Sequence, residues 1–186
     1  MRRLLALAAV TLLTAASAAC NGSILTASLE SRVDTVTVGA LIGTPLSVPS
    51  GYSINARRAV RTDSVSVFDF AYNILPDGRR VFLPFATLGL GAGLSLLPGF
   101  IAMEQTFEQI REAPANGYRN RDTIPLAVGD RFVVRSSTQA CPSFGVPKYA
   151  KLQVLDFDEV ARLVRFQILV NQNCGFRSLQ PGLPEN

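Results

Sequence analysis

Two segments near the C-terminus, Lys151-Leu-Gln-Val-Leu-Asp-Phe157 and Arg162-Leu-Val-Arg-Phe-Gln-Ile-Leu-Val170, are joined by the short stretch Asp158 to Ala161. In the first, Leu152 and Val154 alternate with Lys151 and Gln153. In the second, Val164, Phe166, Ile168 and Val170 alternate with Arg165 and Gln167. A period of two in β-branched and aromatic residues is the signature of a half-buried strand, and a connection this short returns the chain antiparallel. The pair predicts a hairpin with its apolar face on a core.

The same alternation recurs elsewhere in the chain. Val36, Val38, Ala40 and Ile42 alternate with Thr35, Thr37 and Leu41; further strands are expected at 56–61, 65–74, 81–88, 122–128 and 131–136. Pro76-Asp77-Gly78 predicts a tight turn, because proline sets one backbone angle and glycine accepts a positive one. Leu88, Leu90, Ala92 and Leu94 alternate with Gly89, Gly91 and Gly93, a strand pattern with one bulky and one bare face. Met103, Phe107 and Ile110 recur at helical spacing opposite Glu104, Glu108 and Glu112, before Pro114 and Asn116-Gly117, and predict one short helix. The expected fold is mainly β, an antiparallel β-sandwich or partly open barrel with one short α-helix.

The N-terminus is of another kind. Arg2 and Arg3 precede an apolar run, Leu4 to Val10 with Leu12 and Leu13, which closes on Ala15-Ala16-Ser17-Ala18-Ala19 before Cys20. A positive start, a short apolar centre and small residues are the layout of a secretory signal. The centre falls short of the ~20 residues of a membrane span. This stretch resembles a bacterial lipoprotein signal, although Ser17 stands where such signals usually carry leucine. The resemblance implies cleavage before Cys20, acylation of that cysteine, and, with Asn21 rather than aspartate following, sorting to the outer membrane. Plain cleavage after Ala18 would instead release a periplasmic or secreted domain, and an uncleaved leader would itself be an anchor. On this reading residues 1–19 are a signal peptide, 20–32 a tether and 33–186 a single β-rich domain.

The compartment then sets the cysteine arithmetic. With Cys20 consumed by lipid, Cys141 and Cys174 remain as an even pair in an oxidising space, where disulfides persist. Two buried free thiols are the alternative. Of the 18 basic residues, 16 are arginine; subtracting Arg2 and Arg3 leaves 16 basic against 14 acidic side chains, and a domain so nearly balanced gives no reason to expect nucleic acid. The membrane, reached through the lipid anchor, and an envelope protein or glycan are the expected partners. The C-terminal run Asn173-Cys174-Gly175-Phe176-Arg177-Ser178-Leu179 resembles the ends of uncharacterised exported bacterial proteins, and that likeness carries no function.

Catalytic chemistry has little to work with. The chain has no histidine, so histidine-based triads and histidine–zinc sites are excluded. Only Lys148 and Lys151 could serve a serine–lysine pair, Gly93-Leu94-Ser95-Leu96-Leu97 lacks the second glycine of a nucleophile elbow, and no phosphate-cradling glycine–lysine motif occurs. Asp156, Asp158 and Glu159 cluster at the hairpin turn, where they could bind calcium or form the acid/base pair of a glycan hydrolase; turns also attract aspartate for its hydrogen bonds alone. Arg57, Arg58 and Arg61 read as a solvated edge, with contact to anionic headgroups or glycans as the alternative. The uncharged stretch from Val81 to Ile101, if exposed, would serve a lipid-handling or envelope-assembly factor. The expected function is a non-enzymatic lipoprotein that binds or scaffolds in the envelope, with no catalytic residue, cofactor or metal.

Overall fold

Residues 25–184 are described by a computed structural model; the signal segment and Cys20 lie outside the described residues. Ten strands form two five-stranded antiparallel sheets. The first sheet is ordered β1 (Val33–Gly39), β10 (Leu163–Asn171), β9 (Tyr149–Asp158), β8 (Arg131–Arg135), β6 (Gly99–Met103). The second is ordered β3 (Arg58–Val60), β2 (Gly51–Ser53), β4 (Phe70–Ile74), β5 (Arg80–Pro84), β7 (Ile124–Pro125). The arrangement is a β-sandwich, and neither sheet closes into a barrel.

The predicted hairpin forms the centre of the first sheet. Its alternation sends Leu152, Val154, Val164, Phe166, Ile168 and Val170 into the core between the sheets. A register shift opposite Arg165 and Phe166 lets both Val154 and Phe157 face inward although they are three residues apart. The bulge also keeps Asp156 outside, opposite Arg165. Aromatic rings lock the sheets together: Phe166 meets Tyr52 and Phe82 edge-on at 5.9 and 5.7 Å, and Phe82 stacks on Phe100 at 5.7 Å. Such pairs add to the hydrophobic burial of the rings.

Three expectations are corrected. The stretch 103–112 is not helical: after β6 the chain turns, and among the described residues the only helical segments are the single 3-10 turns Phe85–Leu88 and Thr138–Ala140. Phe107, Ile110 and Ala113 are spaced as on a helix because each drops from a covering loop onto the outer face of the first sheet, against Val133, Tyr149 and Leu169. The C-terminal segment seals this loop through paired main-chain bonds, Ala113 N–H to Arg177 O and Leu179 N–H to Arg111 O, at 2.8 and 2.7 Å. The glycine-alternating segment 88–94 is likewise no strand. Gly89, Gly91 and Gly93 all have positive φ, which breaks the pleat at every second residue, and a Cβ on Gly91 would stand 2.8 Å from Leu97.

The third correction concerns the tether. Ala27 is buried, Ser31 pairs with Gly182 through two main-chain bonds, and Ser28 and Leu29 donate to Asn173. Residues 27–31 therefore belong to the domain. Main-chain bonds to a buried asparagine override a local sequence too polar and aperiodic to announce any structure.

Candidate functional site

Cys141 and Cys174 are joined, with their Cα atoms 5.8 Å apart. The bond ties the loop between β8 and β9 to the end of β10, and Gly175 adds a main-chain bond to Pro147 O at 3.0 Å. Beside it two buried asparagines organise three chain segments. Asn171 donates to Phe176 O and Ser178 O, while its Oδ1 accepts from the main chain and side chain of Asn173. Asn173 in turn accepts from Ser28 and Leu29 N–H at 2.8 and 2.9 Å and donates to Leu29 O at 2.7 Å. Buried amides with every donor and acceptor engaged fix register as well as position.

Under the same end lies a polar cluster that sequence reasoning missed. Asp69 is buried; its Oδ2 accepts from Ile54 N–H at 2.7 Å, and Ser137 N–H also bonds to it. Burial pushes its carboxyl up to about 7, against the pull of those two N–H groups and of Lys148. Burial likewise lowers the Lys148 ammonium, with Asp69 opposing; the amine donates to Asn55 Oδ1 and Gln172 Oε1 at 2.9 and 3.0 Å. Neither of these bonds goes to a serine. Lys151, outward in the alternation, is buried beneath the covering loop, where it donates to Phe107 O and Ile110 O at 2.7 and 2.9 Å and sits 4.6 Å over the Phe107 ring. No spacing signal could have exposed either lysine's surroundings, since the loops that bury them come from far along the chain.

The outer surface around the disulfide is of mixed polarity, with Thr26, Ser28 and Ser143 exposed beside Leu29 and Phe144. The three segments meeting there, 25–29, 136–147 and 170–176, contain no charged side chain. Leu29 and Phe144 share a depression of about 200 Å³ and stand 51% and 52% exposed. Phe144 projects from a tight turn in which its own N–H and that of Gly145 both bond to Cys141 O. Leu25 packs beside it, within reach of Gly175.

The acidic cluster lies at the opposite end, whereas Ser95 of the uncharged stretch meets Thr138 at 3.3 Å and Arg57 follows Asn55 in the turn that Lys148 holds. Asp156 pairs with Arg165, Glu159 pairs with Arg80, and Asp158 caps the turn by accepting from Ala161 N–H at 2.8 Å. Each carboxylate has its own partner, and they do not converge on one point. Among the described residues no group of three or more histidine, cysteine or carboxylate side chains could hold a metal. In the basic cluster Arg57 pairs with Asp34 and Arg61 with Asp63, leaving Arg58 exposed. Of the uncharged stretch 81–101, Val81 to Phe85 and Pro98 to Phe100 are buried; the surface portion reduces to residues 86–97, where Leu90 is the most exposed large side chain.

Compared with protein-family models, with curated proteins and with solved structures, the chain matches none.

Proposed function

We propose that this chain is a non-enzymatic, lipid-anchored domain of the bacterial cell envelope, held at the outer membrane through acylated Cys20 and facing the periplasm, where it binds or scaffolds an envelope protein or glycan. The observation that carries the reading is the Cys141–Cys174 disulfide: it pairs the two cysteines that remain once the third is assigned to lipid, and it belongs in an oxidising compartment. The side-chain inventory supports the non-catalytic half. The polar groups buried at the disulfide end are engaged in main-chain and amide bonds that hold loops, and the carboxylates of the hairpin turn are individually neutralised or capped. A carboxylate-dependent glycan hydrolase needs two acids facing one cleft, and the pairing of Asp156, Asp158 and Glu159 favours no such arrangement.

The test is intact-mass and fatty-acid labelling of the protein expressed in a Gram-negative host. Wild type is expected to carry acyl groups at its new N-terminus, fractionate with the outer membrane and resist thiol alkylation, whereas Cys20→Ala loses the label and the membrane association. Unlabelled protein in the cytosol with its leader attached and its thiols free would overturn the proposal.

A further inference from the structure

Three observations coincide at the disulfide end. First, the described chain begins there: Leu25 lies in the same depression as Phe144, and four residues separate it from Cys20, a reach of no more than about 18 Å even when fully extended. A lipid on Cys20 thus holds this end of the domain near the bilayer surface and leaves the hairpin turns, a ten-residue strand away, the farther from it. Second, the patch around Phe144 and Leu29 is free of charge across its three segments, as desolvation by lipid requires, while Arg57, Arg58 and Arg32 stand at its border, where they can reach headgroup phosphates. Third, among the described residues Phe144 is the only aromatic of the exposed large apolar side chains, and it is presented on a turn pinned through Cys141 to the end of β10. An apolar ring on a rigid, uncharged tip is suited to the boundary between headgroups and acyl chains. The far end is built for water: Asp77, Arg79, Arg80, Asp156, Asp158, Glu159 and Arg165 crowd around the two hairpin turns.

We propose that the disulfide end lies against the phospholipid surface, with Phe144 and Leu29 seated at the headgroup boundary, so that the acyl anchor and the protein face act together and the hairpin end points away from the membrane. This rests on the reading of Cys20 as acylated. Because Phe144 and Leu29 are apolar, the contact they make with lipid is insensitive to salt.

The chain has no tryptophan, so a single one can report position. Phe144→Trp marks the proposed contact; Val160→Trp, at a residue 98% exposed on the opposite turn, lies about 30 Å away along β9. The full acylated protein is reconstituted into phosphatidylethanolamine–phosphatidylglycerol vesicles with brominated acyl chains. Quenching at position 144 should exceed that at position 160 several-fold and persist at high salt. In wild-type protein, amide exchange should slow on the vesicles at residues 25–29 and 142–146 and stay unchanged at 158–162. Protein that floats with the vesicles yet shows equal quenching at both positions, or unchanged exchange in both segments, overturns the docked face alone. Protein that carries no acyl group and stays free of the vesicles removes the anchor and the docked face together.

Discussion

The two ends of the sandwich hold their loops by opposite means. At the disulfide end a covalent bond, two fully bonded asparagines and the Asp69–Lys148 cluster fix loops through buried polar groups. At the hairpin end the turns are short enough to close on their own, and the charged side chains around them form exposed pairs such as Arg80–Glu159 and Asp77–Arg79. Stability is therefore concentrated at the disulfide end. Bonds removed from water, or made covalent, are felt in full when broken, whereas exposed ion pairs are screened and partly offset by the entropy of ordering two long side chains.

The sharpest way to break this contrast is to remove the disulfide. Cys141→Ala with Cys174→Ala opens a loop spanning a sequence separation of 33 residues and should lower stability by about 3 to 4 kcal/mol on the chain-entropy argument, read from urea unfolding. Next comes Asn173→Ala, which strips two N–H donors and one carbonyl of the N-terminal segment of their partner; a loss of about 2 to 3 kcal/mol is expected. Rapid proteolysis between residues 25 and 32 should accompany it.

Asp69 sharpens the comparison through pH. Its carboxyl is raised in the fold, so the native state holds the proton more tightly than the unfolded chain. The stability this confers is complete below about pH 4, where both states are protonated, and is lost as pH rises through about 7. Asp69→Asn keeps an oxygen for the Ile54 N–H and cannot ionise. The wild-type Tm should therefore fall relative to that of the variant between pH 4 and pH 7; parallel curves would show that Asp69 does not titrate differently in the fold. The smallest effect belongs to the hairpin end: Glu159→Gln should cost about 0.5 kcal/mol at low salt and nothing measurable in 1 M salt.

What could be read in the sequence follows the same division. The β9–β10 hairpin, β1, the Pro76–Gly78 turn and the cysteine pair were legible, because alternation, turn chemistry and parity are local or countable properties. The misread segments are those whose apolar spacing arises from tertiary covering. Met103 at the end of β6 and Phe107 and Ile110 in the covering loop satisfy a helical period by packing on the same outer face of the sheet, and the glycines of 88–94 mimic a bare strand face while adopting positive φ. The candidate site was legible only as a disulfide. Its lysine, aspartate and asparagines are brought together from positions 55, 69, 148 and 171–173, and nothing in their local sequence marks them as buried.

The placement of the two lysines has a practical consequence. They are the only lysines in the chain, and both are folded away, at 8% and 2% exposure. Should the first residue of the mature chain also be blocked by a fatty acyl group, the folded molecule would offer no accessible primary amine. Succinimidyl dyes, amine cross-linkers and lysine-specific endoproteases would then pass it by until the β-sheets come apart, so that acylation of Lys148 and Lys151 becomes a direct clock for their opening in the intact envelope.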